Sequence, residues 1–185
     1  MTIVCLGWGS LILAPGDLPL RTGWSGDGPK LPVEFARKSK DGRITLVVSE
    51  NTPSVDVLWT ALAVQDMDEA KRALKEREDT VAKNIGFWNV KDCSDHGEAR
   101  TIAVWAAAKG FDGVVWTALP PKFPDISGKP SCDEVVEYLR TLEGSTRLAA
   151  EKYVRSAPDQ IQTPYRDAIE RELGWTPVVA QQSSR

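Results

Sequence analysis

Hydrophobic and polar positions divide this chain into a strand-rich front and a helical last third. Residues 3–6 are a continuous apolar run, the pattern of a buried strand. The run leads directly into Gly7-Trp8-Gly9-Ser10-Leu11. Two glycines around a large aromatic let the backbone turn sharply and approach a ligand, because neither carries a Cβ. Consecutive N–H groups in such a turn form a concavity suited to a carboxylate or phosphate. The same residues equally describe a tight strand-end turn with a packed tryptophan. Between residues 14 and 30 glycine and proline are too dense for regular structure, which predicts a long connection. Three strands are expected next. In the first, 31–37, Val33, Phe35 and Arg37 alternate with Glu34 and Ala36. The second is 43–48, reached through the hairpin signal Asp41-Gly42, and the third is 55–64. Together they read as an antiparallel meander.

A helix is expected from an Asp66 N-cap to about Ala82, with Met67, Ala70, Leu74 and Val81 on one stripe. At about 100° per residue, Glu78 falls in the middle of that stripe. A carboxylate on a buried face is unusual, because burying it without a partner is costly. It is an ion-paired or hydrogen-bonded structural residue at the helix end, a residue just past a helix that stops before it, or a carboxylate set into a site. Residues 83–99 read as irregular and polar. They hold His96, the single histidine, and Cys93, too few ligands for a metal. Strands are expected at 101–108 and 113–119, with a turn at 109–112. Ser131 and Glu134 have capping-box spacing for a helix with Val135, Val136, Leu139 and Leu142 inward. A second helix opens at Ser145 or Thr146 and runs to about Arg155. A third opens at Thr163-Pro164 and ends at Gly174. Five or six strands followed by segregated helices predict an α+β fold in one domain, 1–180, with 181–185 as a disordered tail.

Composition narrows the function classes. The chain has 185 residues, 42% hydrophobic and 26% charged, enough for a sizeable core. A net charge of -3 gives no basic footprint for nucleic acid or an anionic membrane. Neither a secretory leader nor a membrane span is expected. Three scattered cysteines (Cys5, Cys93, Cys132) fit a reduced, cytoplasmic setting. Seven tryptophans predict an aromatic core, some of it lining a pocket.

The strand-turn Leu6-Gly7-Trp8-Gly9-Ser10-Leu11-Ile12, then Pro15-Gly16, and later Glu76-Arg77-Glu78 resemble the γ-glutamylcyclotransferase superfamily, its ChaC-like branch most closely. The resemblance spans roughly the first ninety residues, and Trp8-Gly9-Ser10-Leu11 stands where the family has Tyr-Gly-Ser-Leu. It implies a small mixed or antiparallel β-barrel of five to six strands with flanking helices. It also implies an enzyme without cofactor or metal, acting on a small molecule with a γ-glutamyl group. The substrate's α-amine attacks its own side-chain amide carbonyl, closing 5-oxoproline and expelling an amine or peptide. Glu78 is the catalytic carboxylate so implied, and Gly7, Trp8, Gly9, Ser10 and Leu11 are the substrate-binding residues. Glu34 is the runner-up carboxylate, although the strand alternation predicts a solvent-facing or cross-strand-paired role for it. Arg37 and Arg43 flank the hairpin, where they would pair with a substrate carboxylate or simply end exposed strands. Trp8 departs from the family, since an indole N–H donates but cannot accept. A non-catalytic binding module on the same fold, or an amide hydrolase or transferase, are the alternatives.

Overall fold

The computed structural model of the chain describes residues 1–178; the expected tail lies outside the described residues. At its centre is a four-stranded sheet in the order β6-β1-β8-β7. Strand β1 (Ile3–Gly7) pairs antiparallel with β6 (Leu58–Ala61) and parallel with β8 (Gly113–Thr117), which pairs antiparallel with β7 (Ile85–Asn89). Two short ribbons lie beside it: β2 (Lys30–Leu31) with β5 (Val55–Asp56), and β3 (Val33–Lys38) with β4 (Ile44–Val48). The fold is mixed α+β with six helices among the described residues, and no closed barrel of strands is found among their pairings.

Burial on both faces of β1 explains its unbroken apolar run. Val4, Leu6 and Trp8 join one core cluster with the β3–β4 ribbon and the C-terminal helices. Ile3 and Cys5 join a second, with Leu18, Leu62, and Ala70 and Leu74 of helix α2. A very short helix, α1 (Ser10–Leu13), follows β1, and α2 (Met67–Arg77) starts at an Asp66 side chain that accepts from the Glu69 N–H. The last third is α4 (Cys132–Thr141), α5 (Gly144–Arg155) and α6 (Pro164–Leu173). The Ser131–Glu134 capping box, the Thr163 N-cap and the left-handed Gly174 all stand where the sequence puts them.

Four expectations are corrected. Residues 101–108 are no strand but the middle of α3 (Ala99–Lys109), closed by left-handed Gly110. Alanines dominate that segment and Ala99, Ile102 and Ala106 are its buried residues, a helical spacing that Val104 and Trp105 obscured. Strand β7 lies inside the stretch read as irregular. Its Gly86 is required because the Trp116 ring packs over it, 2.1 Å from where a Cβ would stand. The long third strand is split, with Val57 between β5 and β6. Finally, α2 stops at Arg77, five residues earlier than expected, and Val81 is exposed. Asp79 then turns the chain with φ of 45°, a conformation Asp tolerates better than most residues.

Candidate active site

A cleft of about 770 Å³ opens where the C-terminal ends of β1 and β8 meet α2 and the β3–β4 hairpin. Its walls include Gly7, Trp8, Gly9, Ser10 and Leu11 from the first loop and Glu78 from the end of α2. Glu78 is therefore the C-cap of its helix rather than a member of the buried stripe. Its carboxylate is nonetheless withdrawn from solvent: Glu78 and Arg77 side chains are each 13% exposed. Arg77 Nη1 donates to Glu78 Oε1 at 2.8 Å, while Nη2 donates to the Ala14 carbonyl at 2.7 Å. One guanidinium thus ties the carboxylate to the end of α1. Burial pushes the Glu78 carboxyl above its ordinary value, and Arg77 and the Thr117 hydroxyl hold it down in part. The Cys5 thiol on β1 is pushed up by burial and then by the Glu78 charge.

The first loop is shaped by close approach. A Cβ on Gly7 would stand 2.7 Å from the Trp24 ring, and one on Gly9 would stand 2.3 Å from the Tyr153 hydroxyl. Trp8 is only 5% exposed, and its indole N–H donates to the Leu46 carbonyl at 3.2 Å. That donor is committed to the hairpin, so the ring braces β4 against the loop.

Tyr153, on α5, is the residue that sequence reasoning missed. Its hydroxyl accepts from the Leu46 N–H at 3.1 Å, and the Ser10 N–H also bears on it. Burial pushes this phenol up to about 12, so the O–H keeps its proton at neutral pH. With the backbone donors occupying its lone pairs, the proton is left to be donated at the cleft wall beside Gly9. Only the helical face carried a signal for Tyr153, and a tyrosine there is indistinguishable from core.

Other candidates are placed elsewhere. Glu34 is fully buried and outside the cleft, contrary to a solvent-facing strand position. It accepts from the Phe35 N–H at 2.8 Å, the Thr163 hydroxyl at 2.5 Å and the Thr52 hydroxyl at 3.3 Å, pinning the start of α6 to β3. Arg37 and Arg43 both line the cleft; Arg43 is paired with Asp41 at 2.7 Å. His96 is engaged at both nitrogens, with the Ser94 hydroxyl at 2.9 Å and the Lys83 carbonyl at 3.2 Å. Among the described residues, no three of His, Cys, Asp and Glu converge as metal ligands. No helix is long and apolar enough to cross a membrane.

No protein-family model and no curated protein matches the chain. Among solved structures it is similar to a γ-glutamyl cyclotransferase specific to glutathione, from yeast, at 12% identity and a TM-score of 0.44. The match covers 94% of this chain and 98% of that one. Likeness at that score and identity carries no conclusion about activity.

Proposed function

We propose that this chain is a γ-glutamylcyclotransferase-like enzyme, of the ChaC-like branch and of the cytoplasm, that cyclises a γ-glutamyl amide to 5-oxoproline and releases an amine or peptide. One observation carries the reading: a largely buried Glu78 carboxylate shares a cleft with the Gly7–Leu11 loop, the two motifs whose order gives the sequence resemblance. The chemistry asks little of the protein, because the substrate supplies its own nucleophile. The α-amine attacks the γ-carbonyl carbon, a five-membered lactam closes, and the bond to the leaving nitrogen breaks. A base must take a proton from the attacking nitrogen and return one to the leaving nitrogen. A carboxylate with a raised pKa does both near neutrality. Glu78 is given that role.

The rest of the site holds and stabilises. Backbone N–H groups at Gly9 and Leu11 bind the substrate's α-carboxylate, and the Tyr153 O–H donates to the oxygen that gains charge as the carbonyl is attacked. Holding amine and carbonyl in contact supplies much of the remaining acceleration. Arg77 keeps Glu78 oriented and ionisable. The test is release of 5-oxoproline from a panel of γ-glutamyl amides, with Glu78→Gln as control.

A binding module is favoured by one observation, the commitment of the Trp8 N–H to Leu46 instead of to the cleft. Under that reading the same panel binds but yields no product, whereas a hydrolase would yield glutamate.

A further inference from the structure

Charge in the cleft is unevenly neutralised. Lys40 is paired with Asp79 at 3.0 Å, Arg43 with Asp41, and Glu78 with Arg77. Three cleft-lining cations, Arg37, Lys38 and Lys122, have no carboxylate partner among the described residues, and Lys38 instead lies over the Tyr138 ring at 4.7 Å. Arg37 and Lys122 are also neighbours. Arg37 and Lys122 form a parallel bridge, fixed by the Lys38 N–H on the Lys122 carbonyl at 2.7 Å and the Lys122 N–H on the Ala36 carbonyl at 3.2 Å. Residues directly opposite on adjacent strands project from the same face, and like charges in that position are destabilising. A local conflict of this kind, kept in a cleft wall, is expected at functional or strained positions.

The arginine is held in place for contact. Its Nη1 donates to the Pro120 carbonyl at 2.7 Å, which fixes the plane of the guanidinium and leaves Nε and Nη2 without partners among the described residues. Partial burial of Arg37 lowers its pKa by desolvation, a cost that an anion beside it would offset. A planar fork and a mobile ammonium side by side suit a carboxylate or a phosphate group.

We infer that Arg37 and Lys122 form an anion subsite of the cleft, and that the part of the substrate released as the amine carries a carboxylate or phosphate group. The substrate half of this inference rests on the cyclisation reading above; the anion subsite does not. Four γ-glutamyl compounds separate the cases: γ-glutamylglycine (carboxylate), γ-glutamyl-phosphoethanolamine (phosphate), γ-glutamylethylamide (neutral) and γ-glutamylputrescine (cationic). The expected result is kcat/KM at least about tenfold higher for an anionic member than for the neutral one, the worth of one charge-assisted contact. Which anionic member leads tells carboxylate from phosphate. Lys122 is exposed, so Lys122→Glu should fold, and it should collapse that ratio towards one while favouring the putrescine compound. Equal kcat/KM across the panel, or a ratio that survives Lys122→Glu, overturns the subsite while leaving cyclisation intact. If the wild-type protein cyclises nothing, the cyclisation reading fails, and titration with inorganic phosphate, followed at the Arg37 Nε–H by NMR, decides the subsite. A saturating shift abolished by Lys122→Glu upholds it, and no shift overturns it.

Discussion

Arg77 grips Glu78 with one arm of its guanidinium and the Ala14 carbonyl with the other, so the carboxylate and the first loop are held by a single side chain. Its positive charge also opposes the rise that burial imposes on the Glu78 carboxyl. Replacing Arg77 by Met removes both effects. The acidic limb of the kcat/KM profile, which follows ionisation of Glu78, should then move to higher pH, and activity at pH 6 should fall more than activity at pH 8. An unshifted limb with uniformly lower activity would mean that Arg77 serves only the fold.

Gly9 and Tyr153 are coupled by contact. Gly9→Ala drives a methyl against the buried Tyr153 oxygen, an overpacking change worth about 1–3 kcal/mol and a fall of several degrees in Tm. Tyr153→Phe removes the oxygen and strands the Leu46 N–H, also costing about 1–3 kcal/mol. The double variant should lose clearly less than the two single losses added, because the phenylalanine leaves room for the alanine methyl. Strict additivity in thermal melts would refute the contact.

Much of this site was legible in the residues. The Gly-Trp-Gly-Ser loop and a carboxylate near the end of the following helix identify the two sides of the cleft. Helical periodicity alone misplaces Glu78 on a buried stripe; the helix stops before it, at Arg77, one of the alternatives the sequence leaves open, and burial comes from the cleft wall and the ion pair. Tyr153 was invisible because its partners, Gly9 and Leu46, lie over a hundred positions away in sequence, and no periodic pattern encodes such a contact. The helix α3 was misread for a different reason. An alanine-rich segment with Val104 exposed and Trp105 partly covered lacks a clean polar face, so β-branched and aromatic residues outweighed the Gly110 stop signal. The C-terminal helices came through best, since capping boxes, N1 proline and C-cap glycine act locally.

Glu34 gives a pH signature to the fold. Burial raises its folded-state pKa above that of the unfolded chain, against the pull of Thr163 and the Phe35 N–H. The folded protein therefore binds this proton more tightly, and the stability it contributes is complete at low pH and lost as pH rises through the folded pKa. Glu34→Gln should flatten that part of the curve, so urea midpoints of variant and wild type should diverge between acidic and neutral pH. Because Glu78 contributes in the same sense, only the difference between the two proteins isolates Glu34. Parallel curves would show that Glu34 titrates alike in both states.

The central claim concerns Glu78 as the base of an intramolecular aminolysis. The direct measurement is 5-oxoproline formed from γ-glutamyl amides at neutral pH by the wild-type protein and by Glu78→Gln, with folding of the variant checked by its melt. The account predicts 5-oxoproline, without glutamate, from the wild type, and a fall in kcat of about 10²–10⁴ in the variant, the usual contribution of a positioned general base. Equal turnover by Glu78→Gln would contradict it.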